Sequence, residues 1–240
     1  MKNSKHLIRL VFLAMMIALG VVISPILRVE GMCPMAHFIN VTCSVFLGPW
    51  YSLLCAALIG IIRMIAMGIP PIALTGAIFG AFLSGVFYRI SKGNILFAVL
   101  GEILGTGIIG AIMSYPVMTY LWGRDGLSWL FYIPSFICGT LIGGSIAFSF
   151  LKRLAANGLL EKLQGTLGSK SYINKKSVLT NSLTVASFGA ISFVLFSVAG
   201  DLLTLKTSLS RVLSFGSLGV FVCAAVIYYL VCKLKKEDVK

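Results

Sequence analysis

Four polar side chains stand inside stretches that are otherwise apolar: His37, Asn40, Arg63 and Glu102. Glu102 lies in Leu100-Gly-Glu-Ile-Leu-Gly-Thr-Gly107, and Arg63 lies in Ile61-Ile-Arg-Met-Ile65. A charged group at membrane depth is costly, so it marks a place where it is paired or meets a ligand. His37 and Asn40 fall one turn apart on one helix face, and both can hydrogen-bond a neutral heteroaromatic ring. Tyr115, followed by Pro116, supplies aromatic surface at the same level, together with Trp129 and Tyr132. A few polar groups within apolar and aromatic surface is the chemistry of binding a small molecule.

Each of these residues also admits a plainer role. Arg63 can reach for the membrane interface, and Glu102 can bond a neighbouring helix. His37 and Asn40 can pack at the interface, where the aromatics can serve as anchors. Rising 1.5 Å per residue from their helix starts, Arg63 sits at roughly 20 Å and Glu102 at roughly 12 Å, so a gap of about 8 Å brings a direct pair to the limit of an arginine's reach.

Sets that make or break bonds are missing. There is no HExxH, no GxSxG and no Ser/His/Asp set, so the chain reads as a non-enzyme. Gly165-Thr-Leu-Gly-Ser-Lys170-Ser171 falls short of a phosphate loop because Ser169 separates Gly168 from Lys170. With 2 His and with 6 Cys that form no CxxC pair, neither a metal nor a cofactor is expected.

The elements that must hold these residues are membrane helices. Of 240 residues, 58% are apolar or aromatic and 11% charged. Soluble domains run nearer half and about a quarter. A mean hydropathy of +1.00 excludes a soluble globular enzyme, a disordered chain and a fibrous repeat. A span takes about 20 residues, and apolar runs occur at about 7–27, 35–48, 50–67, 72–88, 94–120, 128–151, 178–200 and 212–232. The second is short and runs into Gly48-Pro49-Trp50, a sharp break. The basic N-terminus resembles a signal peptide, but its apolar run is longer and no A-x-A site follows, so it reads as a retained first helix.

The +13 net charge belongs to the membrane rather than to nucleic acid. With the N-terminus inside, fifteen of the 20 Lys and Arg fall on cytoplasmic segments: Lys2, Lys5 and Arg9, then Arg89 and Lys92, six between 152 and 176, and four from 233 onward. Arg28, Arg124, Lys206 and Arg211 fall outside, and Arg63 lies within a helix. This asymmetry predicts eight spans in the cell membrane with both ends cytoplasmic. Three parts are expected: residues 1–155 as a six-helix domain, 156–177 as a basic linker, and 178–240 as a transmembrane hairpin with a basic tail. In the linker, Leu159, Leu160, Leu163 and Leu167 have helical spacing, which fits a helix on the inner membrane surface as well as a solvated linker. Small residues at four-residue spacing (Gly76 and Gly80, Gly101 and Gly105, Gly139 and Gly143) predict close helix packing within the bundle.

Taken together, short motifs give residues 7–153 a resemblance to the S components of energy-coupling-factor (ECF) vitamin transporters, most closely the ThiW type associated with the thiazole precursor of thiamine. The motifs are Ala14-xxx-Ala18, Pro34-x-x-His37-Phe-Ile-Asn40, Gly48-Pro-Trp50-Tyr, Gly60-x-x-Arg63, Phe87-Tyr-Arg89 and Gly101-Glu-x-x-Gly-Thr-Gly107 running on to Tyr115-Pro116. The resemblance implies an all-α, six-helix membrane protein that captures a small heteroaromatic such as hydroxyethylthiazole from outside. It implies as partners a transmembrane T component and two ABC ATPases, which fits the missing ATPase motif. Ala14 and Ala18 inherit the docking face, and His37, Asn40, Glu102, Arg63 and Tyr115 inherit substrate contact. The chain departs from the pattern at Gly68-Ile-Pro70-Pro71, where a Gly-rich, Phe-Pro-containing connection is expected, and residues 156–240 have no counterpart. An S component for a different vitamin and a non-transport membrane scaffold are the alternatives.

Overall fold

The computed structural model describes residues 2–26, 32–172, 178–202 and 207–237. Arg28, Lys175, Lys176, Lys206 and Lys240, which entered the charge balance, lie outside the described residues. The architecture is all-α. In chain order the helices are α1 (Lys2–Ile26), α2 (Pro34–Leu47), α3 (Pro49–Met67), α4 (Ile72–Ile90), α5 (Ile95–Leu121), α6 (Ile133–Ala156), α7 (Leu159–Thr166), α8 (Val178–Leu202) and α9 (Thr207–Glu237). Six of them are long and apolar enough to cross a membrane: α1, α3, α4, α5, α6 and α9.

Local sequence sets the ends. Pro34 and Pro49 open α2 and α3, where a missing N–H removes nothing the helix needs. Between them Gly48 takes φ +87°, a left-handed value that joins two helices with a single residue. Asn94 caps α5 by accepting the Leu96 N–H at 3.0 Å. Gly68, also left-handed, ends α3 with its N–H on the Arg63 carbonyl.

The short helix α2 is the centre of the bundle. At about 1.5 Å per residue its 14 residues reach only about 21 Å, short of a full span. From Ile39 to Leu47 it is buried throughout, because α1, α3, α4, α5 and α6 all pack on it. Helix α5 is not a regular α-helix. Residues Ile103–Gly110 and Val117–Leu121 are π-helical, with α-helical turns before and between them. Helix α6 begins at Ile133, not near 128 as the apolar run suggested, because residues 123–132 form turns and irregular chain; Trp129 is therefore off the helix.

The basic segment after the bundle packs on one end of it. Leu160, Gln164 and Leu167 are buried, while Leu159 and Leu163 are exposed. Gln164 Nε2 donates to the Val45 carbonyl at 2.9 Å and to Tyr88 Oη at 3.1 Å. Arg9 donates to the carbonyls of Leu167 and Gly168 at 3.0 and 2.9 Å. Helices α8 and α9 form a hairpin that meets the bundle through α6, where the Ser149 and Ser187 hydroxyls pair and Lys152 Nζ donates to Thr180 Oγ1 at 3.3 Å.

Candidate functional site

The site begins with a backbone contact between α4 and α5. Gly76 and Gly80 on α4 face Gly105 and Gly110 on α5, and a Cβ on Gly110 would stand 2.9 Å from the Gly76 carbonyl oxygen. A Cβ on Gly101 would lie 2.8 Å from Ser84 Cα. Removing side chains from this seam lets the two helices approach closely. The close approach brings Glu102 and Thr106, four residues apart on α5, against the bare backbone at Gly80. The π-helical stretch starts at the residue after Glu102 and carries Thr106; such turns are rare and concentrate at functional sites.

On the other side, α6 offers Gly139 and Gly143 to α2. A Cβ at Gly143 would come within 2.8 Å of His37 Cβ, and one at Gly139 within 3.2 Å of His37 Nε2. These glycines let His37 lie between α2 and α6, pointing at α5. Its Nδ1 is 2.9 Å from Glu102 Oε1. The same oxygen accepts from Asn40 Nδ2 at 3.0 Å and from Thr106 Oγ1 at 3.0 Å. Glu102 has no exposed surface. Three donors converging on one buried oxygen suit a carboxylate, the acceptor with the most lone-pair sites. Asn40 Nδ2 also reaches the Ala77 carbonyl at 3.3 Å. The second carboxylate oxygen, Oε2, is buried and has no hydrogen-bond partner; a Cβ at Gly80 would lie 2.7 Å from it. In the tautomer that donates from Nδ1 to Glu102, the His37 ring keeps Nε2 as an acceptor.

His37 and Thr106 form part of the wall of a cavity of about 110 Å³. The rest of the wall comes from Met32 and Cys33 just before α2, Ala36 in its first turn, Arg63 on α3, Ile69 after it, Ile72, Ala73, Gly76 and Ala77 on α4, and Ser135 and Phe136 on α6. Apolar groups with a few polar ones make a small-molecule site. Glu102 and Asn40 do not line it. They stand one layer behind, holding His37 and Thr106. A larger recess of about 680 Å³ opens at the opposite end of the bundle, around the Ser91–Asn94 turn, Lys152 and Tyr172, and none of the site residues singled out from the sequence reaches it.

The structure thus brings His37, Asn40 and Glu102 into one network and puts Arg63 on the same cavity. Arg63 and Glu102 do not pair. Arg63 Nη2 lies 3.6 Å from Cys33 Sγ, and its Nε has no partner. Counting along the helices yields the height difference of the two residues but not their lateral positions. Tyr115 is away from the cavity, its ring 4.5 Å from that of Trp129 and 6.4 Å from that of Tyr120. Ala14 and Ala18 sit on the exposed face of α1. Thr106 and Gly80 complete the site without having been singled out for it. The signal for Thr106 was its position one turn after Glu102 on the same face.

A family model described as thiamine-precursor transporter protein (ThiW) matches residues 10–157, more than half of the chain. No curated protein and no solved structure matches it.

Proposed function

The chain belongs to the thiamine-precursor transporter (ThiW) family, a family of transport proteins rather than enzymes, and from that premise we propose that it is the substrate-capture component of an ECF-type importer. In this reading it is a multi-pass protein of the cell membrane that takes hydroxyethylthiazole, or a similar single-ring thiamine precursor, from outside. The observation that carries the reading is the Glu102 network, which fixes His37 and Thr106 in the wall of a small apolar cavity. His37 Nε2 meets a donor on the ligand, Thr106 and Phe136 contact the ring, and Glu102 with Asn40 holds the polar wall in place. A volume of about 110 Å³ is well below the roughly 300–1,000 Å³ of drug-sized sites, which favours one ring over the two of thiamine.

Sidedness follows from charge. The cavity end of the bundle carries Arg124 and Asp125 on its connection, whereas the opposite end gathers Lys5, Arg9, Arg89, Lys92, Lys152, Arg153 and Lys162. Basic residues collect on the cytoplasmic side, so the cavity faces out. Ala14 and Ala18, exposed on α1, form the docking face for a T component, and two ABC ATPases supply the energy.

The test is thermal unfolding of the detergent-purified chain against hydroxyethylthiazole, other thiamine precursors, thiamine and unrelated vitamins. A ligand at 100 times its Kd stabilises by about 2.7 kcal/mol, which is readily seen. Stabilisation by a single-ring precursor is the expected result. A shift with an unrelated vitamin would discard the substrate, and silence across the panel would favour a scaffold.

A further inference from the structure

One wall residue of the cavity is left without a use by the network. Arg63, in the last two turns of α3, is 6% exposed, yet its guanidinium has almost nothing to bind. Its Nη2 reaches only Cys33 Sγ, at 3.6 Å, and that thiol already donates to the Ser24 carbonyl at 2.8 Å. Sulfur is a weak acceptor. The Nε is buried with no hydrogen-bond partner. Among the described residues no carboxylate pairs with it: the ion pair found there joins His37 to Glu102. A buried guanidinium without an anion is expensive, and its planar fork is shaped to take two oxygens of a carboxylate or phosphate. The free space next to it is the ligand cavity.

We propose that Arg63 sets the specificity of this cavity, and that the ligand it completes is a single-ring heteroaromatic carrying an anionic oxygen group on the side lined by Arg63. The inference rests on the transport reading above and narrows its substrate class. A neutral hydroxyethyl arm offers the fork one hydroxyl oxygen, whereas a carboxylate or a phosphate ester offers two oxygens and neutralises the charge. Ligand binding then supplies the counter-charge that the described residues leave out.

The experiment measures equilibrium binding to the full-length purified chain with three probes: hydroxyethylthiazole, its phosphate ester, and the analogue ending in a carboxylate. The proteins are the parent, Arg63→Gln and Arg63→Lys. The parent is expected to bind at least one anionic probe roughly tenfold or more tightly than the neutral one, the gain of a charged over a neutral hydrogen-bond pair. The preferred probe names the group as carboxylate or phosphate. Arg63→Gln abolishes the preference, and Arg63→Lys keeps part of it. Unliganded Arg63→Gln melts at or above the parent temperature, because it removes an uncompensated buried charge; an arginine with a purely structural role would lower it. A neutral probe bound as tightly as the anions by the parent, or a preference that survives Arg63→Gln, overturns the inference and leaves the transport reading intact. Failure of every probe to bind the parent removes both.

Discussion

Replacing Glu102 by Ala removes the acceptor on which three side chains converge, and the structure shows how many are stranded. Asn40 Nδ2 keeps the Ala77 carbonyl at 3.3 Å, and the Thr106 hydroxyl can rotate to a carbonyl of its own helix. Among the described residues His37 Nδ1 has no other partner. A buried donor left alone costs about 1–3 kcal/mol. Interhelical hydrogen bonds within membranes average nearer 0.6 kcal/mol, and removal of a buried charge offsets part of the loss, so a net destabilisation of about 1–2 kcal/mol is expected. At roughly 2–4 °C per kcal/mol for a chain of this length, Tm falls by about 2–8 °C. Glu102→Gln keeps an oxygen for the three donors, and so lies between Ala and the parent. The assay is thermal unfolding of detergent-purified protein, without and with the best-binding thiazole probe. Loss of His37 orientation should weaken binding by at least about tenfold. A Glu102→Ala protein that melts at or above the parent, or binds as tightly, refutes the view that this carboxylate organises the site.

Gly80→Ala puts a methyl against Thr106 Oγ1 and 2.7 Å from Glu102 Oε2, so it should destabilise by about 1–3 kcal/mol and weaken ligand binding, read by the same melts. Gln164→Ala removes the donor that satisfies the Val45 carbonyl in the last turn of α2; a cost of about 1–3 kcal/mol should appear as faster proteolysis between residues 157 and 172. Ala14→Trp with Ala18→Trp falls on an exposed face, so stability should hold within about 0.5 kcal/mol and ligand binding should persist, while co-purification with T and ATPase subunits is lost. Unchanged co-purification would remove the docking assignment.

Most of the helical plan was legible because long apolar runs admit few alternatives in a membrane. The site was partly legible. His37 and Asn40 share a helix face, and Glu102 has few uses at that depth, so polar residues in an apolar context pointed to one another. What one dimension could not supply was rotation about each helix axis. Arg63 and Glu102 differ in height by an amount a side chain can bridge, yet they face different neighbours, Cys33 in one case and His37, Asn40 and Thr106 in the other. Rotation also decides where Tyr115 points: its ring packs on Trp129 and is not part of the cavity wall. The π-helical stretches of α5 add a residue per turn and shift every facing after Glu102, and only Gly105, Gly107, Gly110 and Pro116 hinted at such irregularity. Gln164 looked like one more polar residue in a polar segment. Its burial comes from α7 docking on α2 and α4, a contact between parts of the chain more than 70 residues apart.

Ligand binding in the cavity between α2, α3, α4, α5 and α6 is what the transport reading requires. Its most direct test is equilibrium binding of a labelled single-ring thiazole to the full-length chain, comparing the parent with Ala73→Phe, which fills that cavity, and Lys152→Ala, which alters the recess at the other end. Saturable binding by the parent and Lys152→Ala, with none by a folded Ala73→Phe, is the predicted result. Saturable binding that survives Ala73→Phe would place the ligand elsewhere and exclude this cavity as its site.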